Sequence, residues 1–234
     1  RQGCHLASAE WRFLGWMERE GFKYDYYSET QLHFDVVPLD EYDVLVISVH
    51  PEYWSVKMFD QLKKWVHEDG GKLIYLGGNG LDCEAEFLDD HRIIYQNTKW
   101  SHTGQNYAES GEPQESRMHR RHESQAGLLG QVFTWPGAMT AAPYEVINPS
   151  HWCFSDTGLG RGDLFGTESL HQRVPGGASG HETDKISPFS PENTELLAKG
   201  LNQDDGGAHM VYYDVPSGGE VFSVGSICWN ASIV

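Results

Sequence analysis

Tyr42-Asp43-Val44-Leu45-Val46-Ile47-Ser48-Val49-His50-Pro51-Glu52-Tyr53-Trp54-Ser55 decides how the rest of the chain is read. The run Val44 to Val49 is apolar and rich in β-branched residues, the pattern of a strand buried on both faces of a parallel α/β sheet. It stops at His50, Pro51 and Glu52, and a helix-patterned segment, Val56 to His67, follows at once. Pro51 has no N–H to give a ladder and helps end the strand. Parallel sheets bind ligands beyond the carboxyl ends of their strands, where His50 and Glu52 fall. An imidazole and a carboxylate two residues apart there can ligate a metal or act as acid and base. A plainer reading stays open on spacing alone: Glu52 favours the helix N-terminus and His50 merely closes the strand.

Outward from this stretch the pattern alternates. Leu6 to Arg19 has helical spacing with Gly21 as its C-cap, and Phe22 to Tyr27 reads as a short strand. Ser28 N-caps a brief helical turn through His33. Beyond Val56–His67, Asp69-Gly70-Gly71 makes a turn, and Lys72 to Leu76 is a second buried strand running into Gly77-Gly78-Asn79-Gly80. Those glycines permit close backbone approach and positive φ, and Asn79 is placed to face a ligand. Glu84 to Leu88 has helical character and Arg92 to Gln96 that of a strand. The expected fold is therefore one α/β domain over 1–234, with a mainly parallel, flavodoxin-like sheet flanked by helices. A polar insert over about 98–130 reads as a lid or partner-contact segment, with plain disorder the competing reading, and His119 and His122 fall on a solvated face beside several arginines. Farther on, Gly176-Gly177-Ala178-Ser179-Gly180 leads into His181, Glu182 and Asp184, and Ala208 to Cys228 reads as a hairpin about Pro216-Ser217-Gly218-Gly219. The Gly-rich stretch 158–166 has no strand before it and makes only a weak dinucleotide fingerprint.

Seventeen basic against thirty-four acidic residues give a net charge of −17 over 234 residues. That balance opposes nucleic acid and anionic membrane surfaces as partners. With no membrane-length apolar stretch or signal peptide, a cytoplasmic location is expected. Cys4, Cys83, Cys153 and Cys228 are widely spaced and read as free thiols. Both ends look cut, as in a piece of a longer polypeptide.

The segments HPEYWS (50–55), DYYSETQLH (25–33) and GGNG (77–80) together resemble the C-terminal domain of the large subunit of the N,N-dimethylformamidases. The likeness runs through residues 5–90 and returns at 176–229. It implies a class I glutamine amidotransferase-like fold, although Asn79 stands at the turn where amidotransferases carry a nucleophilic Cys. It further implies hydrolysis of a small amide such as N,N-dimethylformamide to formate and dimethylamine, with a mononuclear iron held by two Tyr and one Glu. Glu52 matches the ligand Glu. His50 and Glu182 then become acid–base groups beside the metal, Glu182 because family members carry a Gly-x-Glu-x-Asp segment there. Asn79 becomes the donor to the substrate carbonyl or oxyanion, and Asp184 a structural partner. Tyr24, Tyr26, Tyr27 and Tyr53 are available but match no ligand position, which places the Tyr ligands in a preceding part of the polypeptide. A small companion subunit, homo-oligomerisation and a small pocket lined by Tyr53 and Trp54 are also expected. Two other readings compete: a non-catalytic amidotransferase-like domain for subunit assembly, and a thiol hydrolase using Cys83 or Cys153.

Overall fold

The computed structural model describes residues 6–95, 118–119 and 122–233. Its centre is a seven-stranded sheet containing β1 (Val44–Val49), β3 (Lys72–Gly77), β8 (Tyr144–Val146), β9 (Leu164–Phe165), β12 (Glu195–Gly200), β13 (His209–Asp214) and β14 (Glu220–Ser223). The strand order is β1-β3-β14-β13-β12-β8-β9. β1, β3 and β14 run parallel, whereas the remaining neighbours pair antiparallel. The sheet is thus mixed, which corrects the mainly parallel, flavodoxin-like expectation. A parallel neighbour needs a crossover of a dozen residues or so. Helix α3 (Val56–His67) supplies one between β1 and β3, but the later strands follow one another through short turns and irregular loops. The expected C-terminal hairpin is β13–β14, with Asp214 opposite Glu220.

Three smaller pairings flank this sheet. β2 (Tyr53–Trp54) runs parallel to β4 (Cys83–Phe87), which pairs antiparallel with β5 (Ile93–Tyr95). β7 (Ala141–Ala142) pairs with β10 (Ser179–Gly180), and β6 (Val132–Thr134) with β11 (Thr183–Lys185). Residues Glu84 to Leu88, expected to be helical, therefore form most of a strand. Cys83, Ala85 and Phe87 alternate with Glu84 and Glu86, and the two buried positions, Cys83 and Ala85, lie on the same side. That period of two outweighs the helix preference of Glu and Ala.

Side chains alternate across β3 and divide the core. Leu73 and Tyr75 face one cluster with Met58, Phe59, Leu62, Trp65 and Val66 of α3. Ile74 and Leu76 face another with Phe13, Trp16 and Met17 of α1 (Ala7–Glu20). Gly21 takes the left-handed C-cap of α1, and Ser28 with Gln31 makes a full capping box on α2 (Glu29–His33). Phe22 to Tyr27 joins no sheet. Its tyrosines instead hydrogen-bond to Glu18, Glu10 and Tyr42 through their hydroxyls. β1 lies at the sheet edge, so its run is not uniformly buried: Val44 is exposed, whereas Ile47 and Val49 are in the core. The end of the expected polar insert is apolar in context, because α4 (Ala126–Leu129) puts Leu128 and Leu129 into the α3 cluster together with Met118. His119 packs edge-on to Phe189 and is half-buried, whereas His122 is exposed and pairs with Asp60 Oδ1 at 2.6 Å. Residues 98–117 and 120–121 of that insert lie outside the described residues, as does Cys4. The three described cysteines are free thiols. Among the described residues no helix is long and apolar enough to cross a membrane.

Candidate functional site

The carboxyl ends of β1 and β3 meet the β10–β11 corner, and the backbone there is held in unusual conformations. Val49 (φ 65°) closes β1, Asn79 (φ 50°) and Leu81 (φ 56°) shape the turn after β3, and His181 (φ 67°) makes the corner. A β-branched residue such as Val49 in the left-handed region is a genuine outlier, and each such residue costs about 1–3 kcal/mol. Strain of this kind gathers where surrounding structure must hold a functional group.

The glycines of the β3 turn serve close approach. A Cβ on Gly77 would stand 2.6 Å from the Val49 carbonyl oxygen. One on Gly78 would meet the Glu182 carbonyl oxygen and stand 2.8 Å from the Ile227 nitrogen. One on Gly80 would stand 2.6 Å from the Tyr75 hydroxyl. The positive φ angles expected of these glycines belong instead to Asn79 and Leu81.

His50, Glu52, Asn79 and Glu182 come together in one polar cluster. His50 Nε2 lies 3.3 Å from Glu52 Oε2 and 3.1 Å from Glu182 Oε2. The Asn79 side-chain amide donates to the same Glu182 oxygen at 2.8 Å. These side chains are largely covered, at 13 % exposure for His50, 15 % for Glu52 and 25 % for Glu182. Burial alone would lower the His50 pKa, but hydrogen bonds from the imidazole to Glu182 and Glu52, with their negative charges, raise it to about 9. Burial pushes the Glu52 carboxyl upward. Hydrogen bonding to His50 and its charge, then hydrogen bonds from Cys83 and Tyr53, outweigh that and leave it below the ordinary carboxylate value. The imidazolium between two carboxylates is the favoured state.

Asp184 lies beneath this cluster. It accepts the Asn79 backbone N–H at 2.8 Å and the Tyr75 hydroxyl at 3.0 Å, pinning the β3 turn from below. Complete burial raises its pKa to about 7 despite both hydrogen bonds. Burial, then the nearby Asp184, also pushes the Tyr75 phenol well above its usual value.

Two neighbours of Glu52 carried no separate expectation in this role. The buried Asp82 and Cys83 follow the β3 turn, and the β2–β4 pairing sets Cys83 opposite Tyr53. Cys83 Sγ lies 3.5 Å from Glu52 Oε1 and 3.3 Å from Asp82 Oδ2. Ligand atoms of Glu52, Asp82 and Cys83 all lie within 4.8 Å of one another, a donor set in which Glu52 fits a cation. The alternation of Cys83 to Phe87 was the available signal, since β4 had to be recognised as a strand before Cys83 could be placed beside Glu52. Trp54 belongs to the core and not to a pocket wall: it is 1 % exposed, and its indole N–H donates to Glu29 Oε1 at 2.7 Å. Cys153 and Cys228 carry burial-raised pKa values of about 11 and 12, which keep both protonated and count against a thiol nucleophile at either. A separate groove, lined by Leu39, Tyr42, Val44, Trp65 and Lys72, opens at the opposite end of β1 and β3.

The whole chain, residues 1–234, matches the family described as N,N-dimethylformamidase beta subunit-like, C-terminal. It is similar to an N,N-dimethylformamidase beta subunit of Paracoccus aminophilus, with 26 % identity over 267 residues, covering 96 % of this chain and 34 % of that protein. It is likewise similar to an N,N-dimethylformamidase beta subunit of an Alcaligenes species, with 25 % identity over 263 residues and the same coverage of both. The chain spans about a third of the length of these curated relatives.

Proposed function

Because the chain belongs to the N,N-dimethylformamidase beta subunit-like, C-terminal family, we propose that it carries part of the active site of an iron-dependent amide hydrolase. The substrate class is N,N-dimethylformamide or a similar small formamide. The observation that carries this reading is the convergence of His50, Glu52, Asn79 and Glu182 at the carboxyl ends of β1 and β3. Glu52 would hold the metal, with further ligands, including tyrosines, from another part of the longer polypeptide. A bound iron would supply Lewis acidity, polarising the amide carbonyl and acidifying an attacking water.

The chain's own groups account for the proton movements. Asn79 spends one amide hydrogen on Glu182, and its second can donate to the carbonyl oxygen as negative charge builds there. Glu182 accepts a proton from the water that adds to the carbonyl carbon. His50, charged between Glu52 and Glu182, gives its Nε2 proton to the amine as the C–N bond breaks, and Glu182 returns the proton to it. Water is consumed, and formate and dimethylamine are released. The tyrosines named from sequence divide: Tyr53 hydrogen-bonds to Glu52, whereas the hydroxyls of Tyr24 and Tyr26 are engaged by α1 glutamates and that of Tyr27 by Tyr42. The relatives' designation as beta subunits supports a companion subunit.

The test compares the full polypeptide, assembled with its companion, as wild type and Glu52→Gln. Iron by elemental analysis and N,N-dimethylformamide hydrolysis are measured on the same samples. Loss of both from an intact Glu52→Gln assembly is the expected result. Retained iron with unchanged turnover would remove Glu52 from the metal site and favour an assembly role for the domain.

A further inference from the structure

Two further imidazoles, His171 and His181, form a pair next to Glu182. His171 and His181 are 5 % and 2 % exposed, with His171 Nε2 3.2 Å from His181 Nδ1 and the rings near-perpendicular at 75°. Their hydrogens can be placed. His171 Nδ1 accepts the Val174 backbone N–H at 3.0 Å, so the neutral ring carries its proton on Nε2 and donates it to His181 Nδ1. Burial first, then Arg12 and Arg173, holds the His171 pKa below the ordinary histidine value, consistent with a neutral donor.

His181 occupies the corner where the chain leaves the β7–β10 pairing and enters the β6–β11 pairing. Its backbone is tied on both sides: its N–H donates to the Thr140 carbonyl at 2.8 Å, and its carbonyl accepts the Met139 N–H at 2.5 Å. The corner requires φ 67°, which a histidine adopts at a cost. The next residue is Glu182, whose carbonyl accepts from Ile227 at 3.3 Å and whose carboxylate meets His50 and Asn79. His171 is set by the 167–174 stretch, itself anchored by the Leu170 N–H on the Ala231 carbonyl at 2.8 Å.

We propose that His171 and His181 are positioning residues, and that the hydrogen bond between their rings fixes the strained corner that aims the Glu182 carboxylate at His50 and Asn79. The proposal rests on the proton-carrying role given to Glu182 above. Its geometric half can be tested without that role.

The closing experiment uses the full polypeptide with its companion subunit and three variants. In His171→Asn the side-chain oxygen can still accept from Val174, but the amide is too short to reach His181. In His171→Gln the longer amide reaches His181 and can donate to it. His181→Asn keeps an acceptor near the Nδ1 position, and Asn tolerates the left-handed backbone. Labelling of Glu182 by a water-soluble carbodiimide with glycine ethyl ester, read by mass spectrometry, reports its placement. The kcat and KM for N,N-dimethylformamide report its use. For His171→Asn the expected result is at least three-fold more Glu182 labelling and at least a ten-fold fall in kcat, with KM within two-fold of wild type. His171→Gln and His181→Asn should stay within three-fold of wild type on every measure. Unchanged Glu182 labelling in His171→Asn overturns the proposal. So does equal loss in all three variants, which would make the rings mere packing. If the wild type hydrolyses no formamide, the proposed activity fails, and the labelling pattern alone decides the pair.

Discussion

Gly78→Ala tests the site's architecture with a single methyl group. Gly78 has an ordinary backbone φ, so the substitution adds bulk without forcing a left-handed alanine. The new Cβ would stand 2.8 Å from the Ile227 nitrogen and closer still to the Glu182 carbonyl oxygen. Ordinary carbon-to-oxygen approach is about 3.3 Å, so the 182–227 backbone must retreat by more than roughly 0.5 Å. Both obstructing atoms are main chain, and a rotamer change cannot relieve them. Overpacking of this kind costs about 1–3 kcal/mol, which urea denaturation will register as a lower midpoint at unchanged slope. The functional loss should be larger than the stability loss implies. Glu182 moves with its own carbonyl, and misplacement by about 1 Å costs on the order of a hundred-fold in rate. The assay is formamide hydrolysis by the assembled protein, at a temperature where the variant is fully folded. Wild-type turnover in a folded Gly78→Ala protein would refute the claim that contact between the β3 turn and Glu182 sets the site.

Two further outcomes concern stability. Asp184, with its pKa raised from 3.8 to about 7, binds its proton more tightly folded than unfolded. Its contribution is therefore full below about pH 4 and is lost as pH rises toward 7, by at most about 4 kcal/mol. Asp184→Asn cannot titrate, so denaturation curves from pH 4 to 8 should show the variant gaining on the wild type as pH rises, and parallel curves would contradict the assignment. Ser55 N-caps α3 by accepting from Met58 N at 3.2 Å and bonds His33 Nδ1 at 2.8 Å. Ser55→Ala should cost about 1–2 kcal/mol in thermal or urea unfolding, and a cost near zero would mean that the cap contributes nothing.

The parts legible in sequence were those whose causes are local. His50 and Glu52 could be placed at a strand end because the apolar run, the proline and the following helix pattern lie within a few residues of one another. The α1 C-cap at Gly21 and the α2 N-cap at Ser28 are equally local, and both are present. The hairpin β13–β14 announced itself through its turn residues. Glu182 is different. Nothing near it points to the end of β3, and the contacts that bring it there join residues far apart along the chain, Thr183 with Ser226 and Asp184 with Asn79. Its place in the site came from family resemblance alone.

Strand direction is not written in side-chain periodicity, and so periodicity alone does not separate a parallel sheet from this mixed one. Period and burial are similar for parallel and antiparallel neighbours when both faces are covered. The connections hold the missing information. Twelve residues of helix between β1 and β3 permit a parallel crossover. The short Pro216–Gly219 turn between β13 and β14 forces reversal, and with it an antiparallel half-sheet. Strain was still less accessible. A valine at φ 65° and a histidine at φ 67° contradict local preference, so no reading by propensity could have placed them. Both flank candidate site residues, Val49 before His50 and His181 before Glu182. Where local rules fail on either side of one hydrogen-bonded cluster, tertiary structure is holding the backbone against its preference, and the aim of those two side chains is what the strain secures.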